Sequence, residues 1–286
     1  MTFSATVKRL ALSKYLYALV FVAGAVAFFY PLFSSLYNYQ AQTRVINSYQ
    51  EEVTTYSPGE LKVLRDDAES YNRFIAGLEG NVTDKISDQE RASSEVSYEK
   101  ALSASEVMGY VRIPKIEVKL PIYKGTSDVV LDHGVGHMER SSLPIGGLSS
   151  HCVLVGHRGL PTSRLFRDLG MLKVGDLFFI GTLDTELTYE VESVQRVLPA
   201  EVGSLQVQEG RDLCTLVTCD PYMINSHRLL VTGHRVQNVP EQGQAAAGHI
   251  TFIQKYGEYF WVVGATMLLW LVVLVVRRRI RRAHEK

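Results

Sequence analysis

Residues 15–33, YLYALVFVAGAVAFFYPLF, contain no charged side chain, and none follows until Arg44. Residues 259–276, YFWVVGATMLLWLVVLVV, are equally free of charge. A helix needs about 20 apolar residues to cross the hydrocarbon core of a bilayer, with about 17 as the lower bound. Both stretches reach that length, so whatever lies between them is organised relative to a lipid bilayer. Tyr15, Tyr259 and Trp261 fall where amphipathic aromatic side chains sit at membrane interfaces. Lys8, Arg9 and Lys14 precede the first stretch, and Arg277, Arg278, Arg279, Arg281 and Arg282 follow the second. Positive charge stays on the cytoplasmic side, so both termini are expected inside the cell and the intervening residues outside. A cleaved signal peptide is the rival reading of the first stretch, but its apolar run is longer than needed and lacks a small-x-small cleavage site. A buried core helix is the rival for the second, and the adjacent arginines argue against it. The expected division is a cytoplasmic N-terminus (1–14), a span (15–37), a helical arm (38–106), a β-domain (107–237), a linker (238–258), a second span (259–276) and a basic tail (277–286).

The 286 residues carry 30 Lys and Arg against 30 Asp and Glu, and a zero net charge removes the global argument for nucleic acid as a partner. Three cysteines are present, Cys152, Cys214 and Cys219. An extracellular domain can hold disulfides, but an odd count leaves one thiol over. Cys214 and Cys219 share a strand pattern, and five residues at about 3.3 Å each hold them beyond bonding reach. Only a bridge involving Cys152 remains geometrically open.

In the arm, SPGELKVLRDDAESYNRFIAGLEG opens with a helix-start signal. Ser57 suits the N-cap, Pro58 the first turn, and Glu60 completes a capping box. Leu61, Leu64, Ala68, Tyr71, Phe74, Ile75 and Leu78 recur at helical spacing, with Gly80 as the expected stop. From Met108 onward the pattern changes to short strand-like runs punctuated by Pro and Gly, with TSRLFRDLGML (162–172) as one short helix. Many short strands with one small helix predict a mainly β fold, a closed or nearly closed β-barrel.

The chemistry concentrates at strand ends. In DLCTLVTC, period two places Cys214, Leu216 and Thr218 on one face and Thr215, Val217 and Cys219 on the other. Cys219 ends its strand, Pro221 breaks the ladder, and Arg228 opens the next strand nine residues on. A hairpin would return Arg228 beside Cys219, where a guanidinium could lower the thiol pKa or hold a carbonyl oxygen. His157 ends the run HCVLVGH before Arg158-Gly159 and is the histidine whose position mirrors that of Cys219. A thiol, an acid–base group and an oxyanion donor are the parts of a cysteine acyl-transfer site. A metal site at Asp132, His133 and His137 is the rival constellation, but Gly134 and Gly136 argue against the helix that would make that spacing useful.

TLVTC followed by Arg228 resembles the TLxTC…R signature of the sortases. VGHRGLPTSRLFRDLGMLKVGD resembles the catalytic-histidine segment of class C, pilin-polymerising sortases, and GVGHMERSSLPIGG and NSHRLLVTGHR fit the same subfamily. The resemblance covers about residues 106–236. It implies an eight-stranded β-barrel and transpeptidation without metal or cofactor. Cys219 would attack the Thr–Gly carbonyl of an LPxTG-like sorting signal and form a thioester. His157 would move the proton, and Arg228 would hold the oxyanion or the signal's backbone. Partners would be sorting-signal-bearing surface or pilin proteins, with an acceptor amine from a pilin lysine or a peptidoglycan precursor. Thr218, Asp220 and His137 are expected to bind substrate or support the site. The resemblance also has a gap. Many class C sortases cover the nucleophile with an Asp-Pro-aromatic lid, and residues 38–106 contain no Asp-Pro pair. Asp220-Pro221-Tyr222 follows the nucleophile instead. A carboxylate there could pair with Arg228 or raise the pKa of Cys219.

Overall fold

The structure, a computed structural model, describes residues 3–237 apart from 79, 81, 159, 161, 162, 202 and 223, together with residue 264. The expected linker (from 238), the second span and the basic tail lie outside the described residues. The first helix, α1 (Phe3–Thr55), runs unbroken for 53 residues, about 80 Å at the usual rise. It passes through the expected boundary at 37/38, and Leu19, Phe21, Val22, Val26, Phe29 and Phe33 are exposed along it. Among the described residues no helix is long and apolar enough to cross a membrane.

The second helix, α2 (Pro58–Ala76), begins where the sequence predicts. The Ser57 hydroxyl accepts from the Glu60 N–H, and the Glu60 carboxylate accepts from the Ser57 N–H at 2.8 Å. It stops earlier than expected. Gly77 is the C-cap, and Gly80 turns the chain at φ +101, a conformation that L side chains rarely adopt. Past α2 the arm is mostly turns, with one short helix, α3 (Asp88–Ala92). The apolar stripe docks on the β-domain: Ala68, Tyr71 and Ile75 are buried. Tyr71 donates to the Glu139 carbonyl at 2.8 Å. Tyr49 of α1 donates to the Met108 carbonyl at 3.2 Å and accepts from the Leu183 N–H at 2.6 Å. These bonds give docked polar atoms partners, so burial of the stripe is not opposed by orphaned groups.

The β-domain is the expected closed eight-stranded barrel. Its strands are β1 (Gly109–Ile113), β2 (Val118–Lys124), β3 (Val135–His137), β4 (Ser150–Val155), β5 (Leu177–Thr182), β6 (Thr185–Val197), β7 (Asp212–Asp220) and β8 (His227–Val236). They close in the order β1-β2-β3-β4-β7-β8-β6-β5. The β2–β3 and β4–β7 pairs are parallel, and the others antiparallel. Closure leaves no bare sheet edge.

One local expectation fails. Residues 163–172, the described part of the expected helix, do not form an α-helix. They make turns and a single 3-10 turn at Leu169–Met171. Leu165 sits at φ +38, and the Phe166 N–H donates to the distant His157 carbonyl at 3.1 Å. The four apolar residues of the expected face, Leu165, Phe166, Leu169 and Leu172, are nonetheless buried, so burial and not helical bonding holds the segment. In the other direction, Asp128–His133 does form a helix, α4, capped by Ser127 and ended at Gly134. Gly134 stops it before His137, which lies on β3, so the four-residue spacing of the two histidines has no helical meaning, as the sequence suggests.

Candidate active site

Two neighbouring strands and the loop that leaves a third carry the three residues singled out in the sequence. In the parallel β4–β7 pair, Val153 lies beside Thr215 and Val155 beside Val217. Two further residues along the same register bring His157 level with Cys219. The tie continues past the end of β4: the Gly156 N–H donates to the Val217 carbonyl at 3.0 Å, and the Thr218 hydroxyl to the Gly156 carbonyl at 2.7 Å. His157 therefore stands two residues beyond β4 and does not end it. In the antiparallel β7–β8 pair Cys219 is directly opposite Arg228, as the hairpin reading requires.

Each member of the row is held locally. Gly156 lets the loop close: a Cβ there would lie 2.7 Å from the Phe166 ring. The Nη1 of Arg228 donates to the carbonyls of Asn225 (3.2 Å) and His227 (3.1 Å), which anchors the guanidinium at the mouth of its hairpin. His157 Nε2 lies 3.7 Å from Asp132 Oδ1 on α4, a neighbour the sequence offered only as a metal ligand. Cys219 is half-buried, whereas Cys152 and Cys214 are buried. All three thiols are free, although Cys152 and Cys214 are register partners across β4 and β7. Burial pushes the Cys214 thiol up, which keeps it protonated and inert.

The remaining candidates have other duties. Thr218 is buried, and its hydroxyl is engaged with Gly156. Asp220 does not reach Arg228. Strand alternation turns it to the face opposite Cys219, where its fully buried carboxylate meets Arg158 and Arg196. His137 is also fully buried. Its Nε2 faces the Ser142 carbonyl at 2.9 Å and its Nδ1 the Tyr98 hydroxyl at 2.9 Å. Because a carbonyl only accepts, Nε2 carries the proton. His137 thus orders the 138–142 turn and fastens the arm to β3. His133 lies on α4 with its ring on the Val129 carbonyl, and among the described residues no group of His, Cys, Asp and Glu could hold a metal ion.

The face of β7 that ends in Cys219 is covered. Val82 from the arm and Leu205 from the β6–β7 connection pack against Val153, Val217 and Leu230, with Val155 and Val197 at the margin. Nothing in the periodicity of residues 77–106 announced this contact. Arg158 and Arg196 were also missed. Arg158 carried a signal, its place directly after His157. Arg196 carried none, because it reaches Asp220 only through barrel closure.

Comparison with known proteins agrees with this geometry. The family model for the sortase domain matches residues 111–236. A crystal structure of sortase C1 from Streptococcus agalactiae is 45% identical, with a TM-score of 0.63 over 68% of this chain and 100% of that chain. Sortase C from Streptococcus pneumoniae, whose structure is described as informing catalysis and pilin substrate specificity, is 39% identical, with a TM-score of 0.59 over 69% and 99%. Sortase A of Staphylococcus aureus is 30% identical over 52% of this chain and 71% of its own length. The chain spans about three-fifths of the length of several other curated relatives that it matches. The barrel, the motifs in order, the level row of His157, Cys219 and Arg228 and these likenesses lead to one assignment: the chain belongs to the sortase family, alongside its class C members.

Proposed function

We propose that this protein is a membrane-anchored cysteine transpeptidase that joins sorting-signal-bearing proteins to an amine, and that the amine is a lysine of a pilin subunit. The observation that carries the reading is the alignment of Cys219 on β7 with Arg228 opposite it on β8 and with His157, two residues past the end of β4, on its other side. Cys219 attacks the Thr carbonyl of an LPxTG-like signal, and the electron pair collapses from the oxyanion to break the Thr–Gly bond. His157 gives its proton to the departing glycine amine. An incoming amine then loses a proton to His157 and displaces Cys219 from the thioester. Arg228 stabilises the oxyanion in both steps, the kind of contribution that is worth most where charge develops only in the transition state. Thr218 supports this row from behind through its bond to Gly156.

Anchoring rests on the uncharged stretches 15–33 and 259–276 and their basic flanks, with both termini cytoplasmic and the barrel outside. A housekeeping enzyme that attaches proteins to peptidoglycan is the second reading, favoured by the sortase A relatives. The higher identity to the sortase C structures favours pilins. The test is to incubate the full-length protein with candidate pilins and map any isopeptide bond by mass spectrometry. Cys219→Ala should abolish the bond while the protein stays folded. Wall-attached product without pilin cross-links would replace this reading with the second, and an active Cys219→Ala variant would replace it with a non-enzymatic scaffold.

A further inference from the structure

Behind the row of His157, Cys219 and Arg228 lies a second row, offset by one residue at each position. Arg158 follows His157, Asp220 follows Cys219, and Arg196 precedes Val197, which pairs with Arg228. Strand alternation sends such neighbours to the opposite face, and there the three side chains meet. The Asp220 carboxylate contacts both Arg158 and Arg196, with its side chain 1% exposed. Arg158 Nη1 also reaches the Cys219 carbonyl at 3.5 Å. Burial and then the nearby Arg196 hold the Arg158 pKa below its ordinary value, with the Asp168 carboxylate opposing both. A buried carboxylate is tolerated where it is paired, and removing one partner leaves an uncompensated charge.

We propose that Asp220 is a positioning residue for the transpeptidation. It clamps the histidine loop through Arg158, and β6 through Arg196, onto the end of β7. In this way it sets the lateral spacing of His157, Cys219 and Arg228 from the reverse side of the sheet. Three further ties act at the same place: Gly156 to Val217, Thr218 to Gly156, and Phe166 to His157. Those are backbone or neutral bonds. The Asp220 clamp is the charged one, and it reaches both flanking strand systems at once. A mispositioning of about 1 Å can cost a hundredfold in rate, so a residue that never meets substrate can still govern turnover.

The inference rests on the transpeptidase reading, and its test is chosen to separate the two. Full-length wild type, Asp220→Asn, Asp220→Glu and Arg196→Gln are assayed in two ways. The first is cleavage of a peptide bearing an LPxTG-like signal. The second is the rate of Cys219 alkylation by iodoacetamide at a fixed pH, which needs no substrate. Asp220→Asn should lower kcat at least tenfold with KM within twofold, and Asp220→Glu should restore part of the loss. Alkylation should slow at least threefold, because the displaced row no longer presents the thiol beside His157. Loss of a nearby negative charge acting directly would instead speed alkylation, and that outcome overturns the clamp. So does an Asp220→Asn variant with wild-type kcat and alkylation rate. If Asp220→Asn does not fold, Arg196→Gln decides, since the Arg196 side chain is 60% exposed. It should show the same changes at smaller size, and unchanged values would overturn the proposal. If wild type cleaves no signal peptide, the transpeptidase reading falls, and the alkylation rates alone support or overturn the clamp.

Discussion

Of the three thiols in this chain only Cys219 meets solvent, and the reason is its place in a strand. Cys152 and Cys214 face each other inside β4 and β7, while Cys219 stands at the last turn of the pleat before Pro221. The native protein should therefore take up one equivalent of iodoacetamide, and the unfolded chain three, as read by intact mass. Two equivalents in the native state would contradict the burial of the β4–β7 pair. The neighbouring arginine invites a sharper substitution. Arg228→Lys keeps the positive charge but loses the planar fork that holds both the hairpin carbonyls and an oxyanion. Removing an oxyanion donor costs about 10²–10³ in rate, so Arg228→Lys should lower kcat by about a hundredfold and leave KM within a few-fold. A large rise in KM with unchanged kcat would assign Arg228 to ground-state binding of the signal.

At the level of elements, the segment after α2 covers part of the apolar strip beside Cys219, and one buried histidine responds to acid. Val82 lies on the apolar strip of β4, β7 and β8 that leads to Cys219, in the place where an Asp-Pro-aromatic lid would have been sought. Val82→Ser should weaken that cover by about 1–2 kcal/mol and raise signal-peptide cleavage several-fold at subsaturating substrate; an unchanged rate would mean that Val82 only stabilises the fold. On the same face, His151 donates from Nδ1 to the Gln206 carbonyl at 2.9 Å and accepts at Nε2 from Thr215 at 2.7 Å. Burial disfavours the charged ring and holds its pKa below the ordinary 6.5. The folded state therefore binds fewer protons than the unfolded chain below that value. Its stability contribution is complete above pH 6.5 and declines as the pH falls, by up to about 1.4 kcal/mol per unit. Asp212 opposes this lower down, since burial raises its pKa above 3.8 and the folded state then binds the extra proton. Denaturant titrations from pH 7 to 5 should show the loss, and His151→Asn should flatten it. The sequence disclosed the elements unevenly, for physical reasons. The capping box at Ser57 and the period-two alternation around Cys219 are local signals, and the structure follows them. The turn at 163–172 looked helical because its apolar spacing is helical, yet those side chains fill the space beside Gly156 without helical bonds. The Asp220 clamp and the Val82 cover depend on which strands closure brings together, and no window of residues contains that information.

For the whole molecule, α1 joins an exposed apolar segment to a docked one within a single helix. Ile46, Tyr49 and Val53 bury one face against the barrel, while Phe21, Val22, Val26 and Phe29 stand open further up the same rod. Open apolar surface of that extent needs a lipid or protein environment, and under the proposed anchoring the basic residues ahead of it would set which side of a bilayer it starts from. If the protein is anchored as proposed, a continuous helix also fixes the height of the catalytic row above the membrane, because no linker intervenes before the docking face. The arrangement yields an outcome that a soluble or inverted topology would not. In intact cells, a membrane-impermeant maleimide should label wild type but not Cys219→Ala. A protease added outside should remove an epitope placed in the 238–258 segment and spare one appended after Lys286. If labelling of Cys219 needs permeabilised cells, the barrel lies inside and the sorting reaction has no access to surface proteins. If labelling succeeds but the C-terminal epitope is cleaved from outside, the residues at 259–276 do not span, and the anchor is α1 alone.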